Sequence, residues 1–331
     1  MPEEPRFSYG GQAVIEGVMI RGRSHFSLAV RRLDGTINSQ SQRLNELFTG
    51  RARRVPLVRG VVALFETLVL GTRALHLSAN MAMQSQGPGD ADEIPGWMLG
   101  ATLAVALVFG IGVFFLSPLL AVWLLDSLIP TASLLSEIIE GVIRLVLLLA
   151  YIWGISFIRD VKRVFAYHGA EHMAVHAYEA GLTLDVANVR KFGTPHPRCG
   201  TAFLLTVILV SIVVFALLMA PSMEWRIISR IVLIPVIASV SYEIIRFSGA
   251  HQNSWIGHLL ARPGLLLQRL TTRVPDDGQI EVAICAMETA MAADAGREYV
   301  LAFGQSPVGP GGLGEATSGQ TAPIPVDEDT R

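Results

Sequence analysis

Charged residues are scarce in this chain of 331 residues, of which they make up only 16%. A typical soluble protein has about 25%. Hydrophobic residues make up 51% of the sequence, and its mean hydropathy is +0.46. This balance argues against an ordinary soluble domain and predicts an integral membrane protein with polar regions. The formal net charge of −2 argues against general nucleic-acid binding, so no specific nucleic-acid partner is expected.

Cysteine and two common catalytic patterns are also scarce or missing. The two cysteines, Cys199 and Cys285, do not provide a disulfide framework, and they agree with a reducing compartment. Neither GxxxxGK[ST] nor GxSxG occurs, so P-loop nucleotide binding and serine hydrolysis have no support. A glycine-rich polar stretch follows Met1–Arg6, and no apolar signal-peptide core is expected there.

Long hydrophobic runs, in contrast, are abundant. The candidate membrane spans are Trp97–Leu125, Ile138–Ile158, Cys199–Met223 and Ile227–Tyr242. In the second span, Glu140 and Arg144 are expected to extend their polar ends to the interface. In the fourth, Pro235 predicts a kink. The predicted fold class is therefore mainly α, a polytopic membrane protein with about four transmembrane helices and a small β-rich cytoplasmic element.

A fifth apolar stretch, Val55–Leu70, is interrupted by Arg59 and Glu66. We interpret it as an amphipathic or partly inserted helix that runs on toward Met83. The distribution of lysine and arginine then predicts the orientation of the chain. Residues 1–96 contain eleven arginines, the connection between the first two spans contains no basic residue, and residues 159–198 contain six. The positive-inside rule places both termini in the cytoplasm, and membrane lipids are the expected surroundings.

The N-terminal region predicts a small β element. Tyr9–Gly22 has too many glycines for a stable helix, although glycines let backbone approach a ligand or another segment closely. His25–Leu33 and Thr36–Gln40 read as strands, joined by the hairpin signal Asp34-Gly35. Near the other end, Ile280–Ala293 predicts an amphipathic helix.

These features divide the chain into seven predicted regions. They are a glycine-rich, β-containing cytoplasmic region (1–54), an amphipathic or interfacial helix with a loop (55–96), membrane helices 1 and 2 (97–158), a cytoplasmic histidine-rich region (159–198), membrane helices 3 and 4 (199–245), a cytoplasmic region with an amphipathic helix (246–303) and a disordered tail (304–331).

The histidine-rich segment YHGAEHMAVHAYE, at 167–179, carries three of the eight histidines and two carboxylates. On a helix, one stripe carries His168, His172, His176 and Glu179, and Glu171 borders it. His-x-x-Glu-His is the spacing of an inverted zincin, in which two histidines bind zinc and the glutamate, here Glu171, is the catalytic general base. A polar helix beside the membrane with interfacial histidines remains the alternative.

Two further positions are candidate ligands of the same ion. His196 and Cys199 have the spacing of two ligands on a tight turn, and imidazole with thiolate suits Zn²⁺. The alternative is that prolines around His196 cap a helix and Cys199 is a small buried residue. Glu243, 71 residues after His172, is a candidate distal carboxylate ligand, with an ion pair to Arg246 as the alternative.

Several segments together resemble a known family. GGQAVIEGVMIRG, RGVVALFETLVLG, YHGAEH, TPHPRCGTAFLL, YEIIRFSG and PGLLLQRLTTRVPDD occur in the order found in YqhQ-like bacterial membrane proteins, over roughly residues 7–290. That family is a domain of unknown function labelled a predicted metal-dependent enzyme. The resemblance implies a bacterial plasma-membrane protein and a metal site. The residues to which it points are His168, Glu171, His172, Glu179, His196, Arg198, Cys199 and Glu243. Met173 departs from the lysine expected after this motif.

Three functions are weighed. The first is a metal-dependent membrane enzyme, a hydrolase at the cytoplasmic membrane surface, with zinc as the expected divalent metal. Its predicted ligands are His168, His172, Glu179, His196 and Glu243, and its predicted general base is Glu171. The second is a non-catalytic scaffold, assembly or insertion factor, with a protein or peptide partner and a structural His/Glu cluster. The third is a small transporter, for which more mid-membrane ionisable residues are expected.

Overall fold

The computed structural model describes residues 7–83, 95–128, 133–218, 222–251 and 254–297. The tail predicted to be disordered, 304–331, lies outside the described residues. The described helices are α1 (Glu46–Thr49), α2 (Val58–Met83), α3 (Gly96–Ile111), α4 (Ser117–Leu128), α5 (Ser133–Ile155), α6 (Arg159–Glu179), α7 (Val186–Val189), α8 (Gly200–Leu218), α9 (Met223–Val232), α10 (Ile234–Ala250), α11 (Trp255–Thr271) and α12 (Asp277–Asp294). A 3₁₀ turn covers Arg51–Arg54, and a π turn, Gly112–Leu116, joins α3 to α4.

The β element is a four-stranded antiparallel sheet with the strands in chain order. Its strands are β1 (Gly10–Val14), β2 (Gly17–Arg21), β3 (His25–Arg31) and β4 (Ile37–Arg43). The predicted β3–β4 hairpin is confirmed. Gly35 has a φ of +85° in its turn, and the Thr36 N–H donates to Asp34 Oδ1 at 2.9 Å. The glycine-rich segment supplies the other two strands.

The helix predicted at Ile280–Ala293 is present as α12, but it is not an amphipathic surface helix. It lies between the sheet and α6, and Ile280, Ala283, Met287 and Ala290 are fully buried. Ser27 of β3 donates from Oγ to the Ala286 carbonyl of α12 at 2.6 Å. Apolar residues occur on nearly every side of α12 because both faces are covered, which a one-sided pattern does not anticipate.

Among the described residues, four helices are long and apolar enough to cross a membrane. They are Val58–Ala82, Gly100–Leu128, Leu134–Ile155 and Gly200–Leu218. The first was expected to be amphipathic or partly inserted. It meets the criterion although it contains Glu66, whose buried carboxylate pairs with Arg21 at 3.1 Å and with Arg53. The predicted fourth span corresponds to the pair α9 and α10, which is bent by 48° beside Pro235, the second residue of α10, where the kink was predicted.

The expectation that Glu140 and Arg144 extend to the interface is not met, because both side chains are buried and paired. Arg144 lies eleven residues into α5, about 16 Å along the helix axis. Its Nε donates to the Phe114 carbonyl at 2.9 Å, and Nη2 donates to Glu140 at 2.7 Å. Pro118 has no N–H for the usual helical bond to Phe114, so Arg144 satisfies this carbonyl inside the span. Arg230 of α9 also pairs with Glu140.

Candidate metal centre

The site is built on α6, which runs from the end of α5 over the sheet. Gly169 allows the chain that follows α11 to approach α6 closely. A Cβ at Gly169 would lie 2.1 Å from the Arg273 carbonyl oxygen, and the Arg273 N–H donates to the Phe165 carbonyl at 2.9 Å. The loop before α8 closes the other side. Three segments that are distant in sequence therefore surround the predicted histidine stripe.

His168, His172 and Cys199 form the first group of possible metal ligands, with ligand atoms within 4.8 Å of one another. His168 Nδ1 lies 2.8 Å from the Thr271 carbonyl, and His172 Nδ1 lies 2.5 Å from the Thr194 carbonyl. Because a carbonyl oxygen only accepts, each Nδ1 carries the proton and each Nε2 keeps its lone pair in the neutral ring. Carbonyl partners of this kind orient histidines that bind metals.

The donor set fits zinc. His168 Nε2 lies 3.2 Å from Cys199 Sγ. Bond lengths of about 2.0 and 2.3 Å place the nitrogen and sulfur of a tetrahedral site about 3.5 Å apart, so a small adjustment brings both atoms to one ion. Cys199 is buried immediately before α8, where the Thr201 N–H contacts Sγ at 3.4 Å. Three protein ligands leave the fourth position of a tetrahedral site open.

Glu171 borders this triad from the opposite side of the stripe. Its carboxylate is 3% exposed, lies 3.5 Å from His172 Nε2, and accepts the backbone N–H of Gly11. Burial raises the pKa of Glu171, while His168 and His196 oppose this shift. Two acceptors, the carboxylate and the Nε2 lone pair, thus face each other. A proton on Glu171 or a cation between them removes that conflict.

His176, Glu179 and His196 form a second group whose ligand atoms also lie within 4.8 Å of one another. His176 Nε2 donates to the Pro195 carbonyl at 2.9 Å. Glu179 pairs with Arg198 and lies 3.5 Å from His196 Nε2. Burial lowers the pKa of His176 and of His196. This group is more open to solvent than the triad, because Glu179 is exposed.

The backbone of His196 is held by one buried side chain. The Gln268 carboxamide accepts the His196 N–H at 2.7 Å and donates to the His196 carbonyl at 2.8 Å. The Arg198 N–H donates to His196 Nδ1 at 3.3 Å. Within the described part of the chain, the buried Nε2 of His196 has no hydrogen-bond partner.

The structure brings together five of the six predicted site residues, but in two groups. His168 and His172 lie with Cys199, Glu171 lies beside His172, and Glu179 lies with His196. The structure does not bring Glu243 to either group. Glu243 pairs with Arg59 of α2, with Arg59 Nε 2.6 Å from Oε1, and it also accepts the Leu57 N–H at 3.2 Å.

The supporting residues were not identified from the sequence. Gln268, Thr194 and Thr271 contribute a buried carboxamide and two backbone carbonyls, for which a single sequence carries no signal. For Gly11 the sequence did give an indication, because the glycines of this stretch were expected to let the backbone approach another segment closely. Its N–H now contacts Glu171.

Comparison with known proteins identifies the family but no activity. A family model described as "Protein of unknown function (DUF1385)" matches residues 55–293, a range that contains the whole triad and Glu171. The uncharacterized protein YqhQ of Bacillus subtilis (strain 168) is 36% identical over 291 residues, which cover 84% of this chain and 90% of that protein. No solved structure matches the chain. The chain therefore belongs to the DUF1385 family of proteins of unknown function.

Proposed function

We propose that this protein is a metal-dependent membrane enzyme of hydrolytic type. Zinc is the expected ion, and His168, His172 and Cys199 are the proposed ligands. The observation that carries the proposal is the convergence of two Nε2 lone pairs and one sulfur, with both Nδ1–H groups held by backbone carbonyls. Two unprotonated ring nitrogens beside a thiol are the donor atoms that a transition-metal cation binds.

The residues around the triad suit hydrolysis. A bound Zn²⁺ would supply Lewis-acid activation at the open ligand position. Glu171, 3.5 Å from a ligand nitrogen, is placed to accept a proton from water, and the Gly11 N–H orients its carboxylate. The low exposure of Glu171 excludes bulk water, so its charge acts in a medium of low dielectric.

A non-catalytic scaffold with a structural metal is the second candidate. It is favoured by one observation: the triad joins α6, the start of α8 and, through Thr271, the end of α11. The two candidates differ at Glu171, which a structural site does not need. Transport ranks third, because the buried charges described in α5 and α9 pair with one another.

The distribution of basic residues supports a membrane location and an orientation of the chain. We propose a bacterial plasma-membrane location with both termini in the cytoplasm, based on the excess of arginine in residues 1–96 and on the basic residues of 159–198. The metal centre, in α6 and the loop before α8, then lies on the cytoplasmic side. An amphipathic substrate such as a lipid or peptide suits a site at this surface.

Elemental analysis of detergent-purified full-length protein tests the metal. We expect close to one zinc or other transition-metal ion per chain, lost in His168→Ala, His172→Ala and Cys199→Ser. His251→Ala is the matched control, because His251 directly follows α10 and its ring Nδ1 donates to the Phe247 carbonyl of that helix. Size-exclusion chromatography and circular dichroism check folding. Folded wild-type protein that takes up no added Zn²⁺ or Co²⁺ would overturn the proposal.

A second experiment separates enzyme from scaffold. Glu171→Gln keeps the shape of the side chain but removes its basic oxygen. The enzyme proposal expects Glu171→Gln to retain the metal and to lose turnover by about 10²–10⁴-fold on any substrate that the wild type hydrolyses. If instead a panel of ester, amide and lipid substrates shows equal turnover for both proteins, Glu171 is not the base.

A further inference from the structure

The backbone of His196 is held by a side chain, yet among the described residues its ring Nε2 has no hydrogen-bond partner. Gln268, which is fully buried, fixes both the N–H and the carbonyl of His196. Both hydrogen bonds of the Gln268 carboxamide therefore hold the backbone of a single residue, His196, in position. His196 itself is 4% exposed, so its ring orientation is set by packing as well.

The hydrogen bonds define which nitrogen carries the proton. The Arg198 backbone N–H donates to His196 Nδ1, so Nδ1 holds a lone pair and the proton is on Nε2. This is the reverse of His168 and His172, whose Nε2 atoms are the acceptors. In this tautomer His196 offers a hydrogen-bond donor rather than a metal ligand. Glu179 Oε2 lies 3.5 Å from His196 Nε2 but makes no hydrogen bond with it, and Arg198 holds Oε1, the other oxygen of this carboxylate.

A buried donor without an acceptor is unfavourable, at a cost of about 1–3 kcal/mol. Such donors persist where a ligand supplies the missing acceptor. The His196 ring lies beside the triad, with 5.6 Å between the ring centres of His196 and His172. An oxygen bonded to His196 Nε2 therefore lies near the proposed metal site.

We infer that His196 Nε2–H binds the carbonyl oxygen of an acyl substrate, an amide or ester, at the metal centre. This inference rests on the proposed function. Glu179 lies beside this donor, and Glu171 is close enough to His196 to interact with it electrostatically. As the ionised base of the proposed reaction, Glu171 repels a phosphate dianion but tolerates a neutral carbonyl, which favours an acyl group over a phosphoryl group.

Binding of acetohydroxamate to Co²⁺-loaded full-length protein in detergent tests the inference, with visible absorption as the readout. We expect His196→Ala to keep its cobalt and its sulfur-to-cobalt absorption band, while its Kd for acetohydroxamate rises about 10- to 100-fold. His196→Gln, which retains an N–H donor, should recover part of this loss. His251→Ala should match the wild type. Inorganic phosphate should bind more weakly than acetohydroxamate and without dependence on His196.

The other outcomes separate the two proposals. Wild-type protein that binds no cobalt overturns the proposed function and this inference with it. If cobalt binds but His196→Ala leaves the Kd unchanged, or the wild type gives no spectral response to acetohydroxamate, only the role of His196 is wrong. Cobalt loss in His196→Ala would make His196 a metal ligand. Phosphate binding that is tighter and dependent on His196 would overturn the acyl assignment.

Discussion

Arg144 compensates for a proline, and this relation predicts a measurable coupling between two positions that are far apart in sequence. Pro118 cannot donate the N–H that would bond the Phe114 carbonyl, and Arg144 Nε does so at 2.9 Å. Arg144→Leu leaves this carbonyl unpaired and removes one of two arginines from Glu140.

The expected loss in free energy of unfolding follows from these two contacts. An unpaired buried carbonyl costs about 1–3 kcal/mol. Removing one partner of a buried ion pair costs about 3–5 kcal/mol, and the lower part of that range applies because Arg230 remains with Glu140. Since such costs are not additive, we expect Arg144→Leu to lose about 4 kcal/mol in total. Pro118→Ala restores an N–H for Phe114, so Arg144→Leu should cost about 1–2 kcal/mol less in that background.

Equilibrium unfolding in mixed detergent and SDS micelles, followed by tryptophan fluorescence, measures the four free energies. Cys199 and Cys285 are both buried, so a thiol-reactive dye provides an independent readout. Pro235→Ala is the matched proline control, because Pro235 lies in the first turn of α10 and should show no coupling to Arg144. Additive effects of Pro118→Ala and Arg144→Leu would refute the compensation.

Three further predictions concern the metal centre. Gln268→Met leaves the His196 N–H and carbonyl unpaired, so it should lower the free energy of unfolding by about 2–4 kcal/mol while changing the Kd for metal only slightly. Unfolding curves equal to those of the wild type would contradict this. Glu243→Gln should keep its full metal content by elemental analysis, because Glu243 pairs with Arg59, and metal loss would return it to the ligand set. Burial lowers the pKa of His172, so the free energy of unfolding of the metal-free protein should be highest above about pH 6.5 and should decrease as the pH falls below that value, where the unfolded chain binds the proton more tightly. Urea unfolding at a series of pH values measures this decrease. The absence of a decrease, or an equal decrease in His172→Gln, would exclude His172 as the cause.

The elements that depend on local pattern were predictable. Asp34-Gly35 predicted its hairpin because a turn with positive φ is read from adjacent residues. The helical stripe of His168, His172 and Glu179 followed from spacing alone. These predictions require only periodicity and turn chemistry, which a single sequence contains.

The features that failed depend on tertiary partners. Because α2 contains Glu66, its hydropathy was not taken to predict a full membrane span. Glu66 is buried in the structure because Arg21 and Arg53 approach it from elsewhere in the chain. The assignment of Glu243 as a ligand considered its distance along the chain from His172, whereas Arg59 is the residue that reaches it in space. Ion pairs between distant segments have no signature in either segment.

Gly169 shows how the fold positions the metal centre without contributing a ligand. Its missing side chain lets α6 approach the Thr271–Arg273 segment, whose Thr271 carbonyl fixes the His168 ring. A Cβ there would lie 2.1 Å from a backbone oxygen, so Gly169→Ala must separate the two segments. We expect Gly169→Ala to bind Co²⁺ at least tenfold more weakly, with the sulfur-to-cobalt band shifted because His168 loses its orientation.

Gly193→Ala is the matched control for this effect. Gly193 lies near the site, but a Cβ there would meet its nearest neighbour, Pro195, at an ordinary 3.5 Å. Both variants change helix or loop propensity by about 1 kcal/mol at most, so propensity does not explain a difference between them. Gly169→Ala protein that binds Co²⁺ as tightly as Gly193→Ala would mean that the Thr271 carbonyl does not control the ring. The orientation of His168 would then come from Cys199 alone.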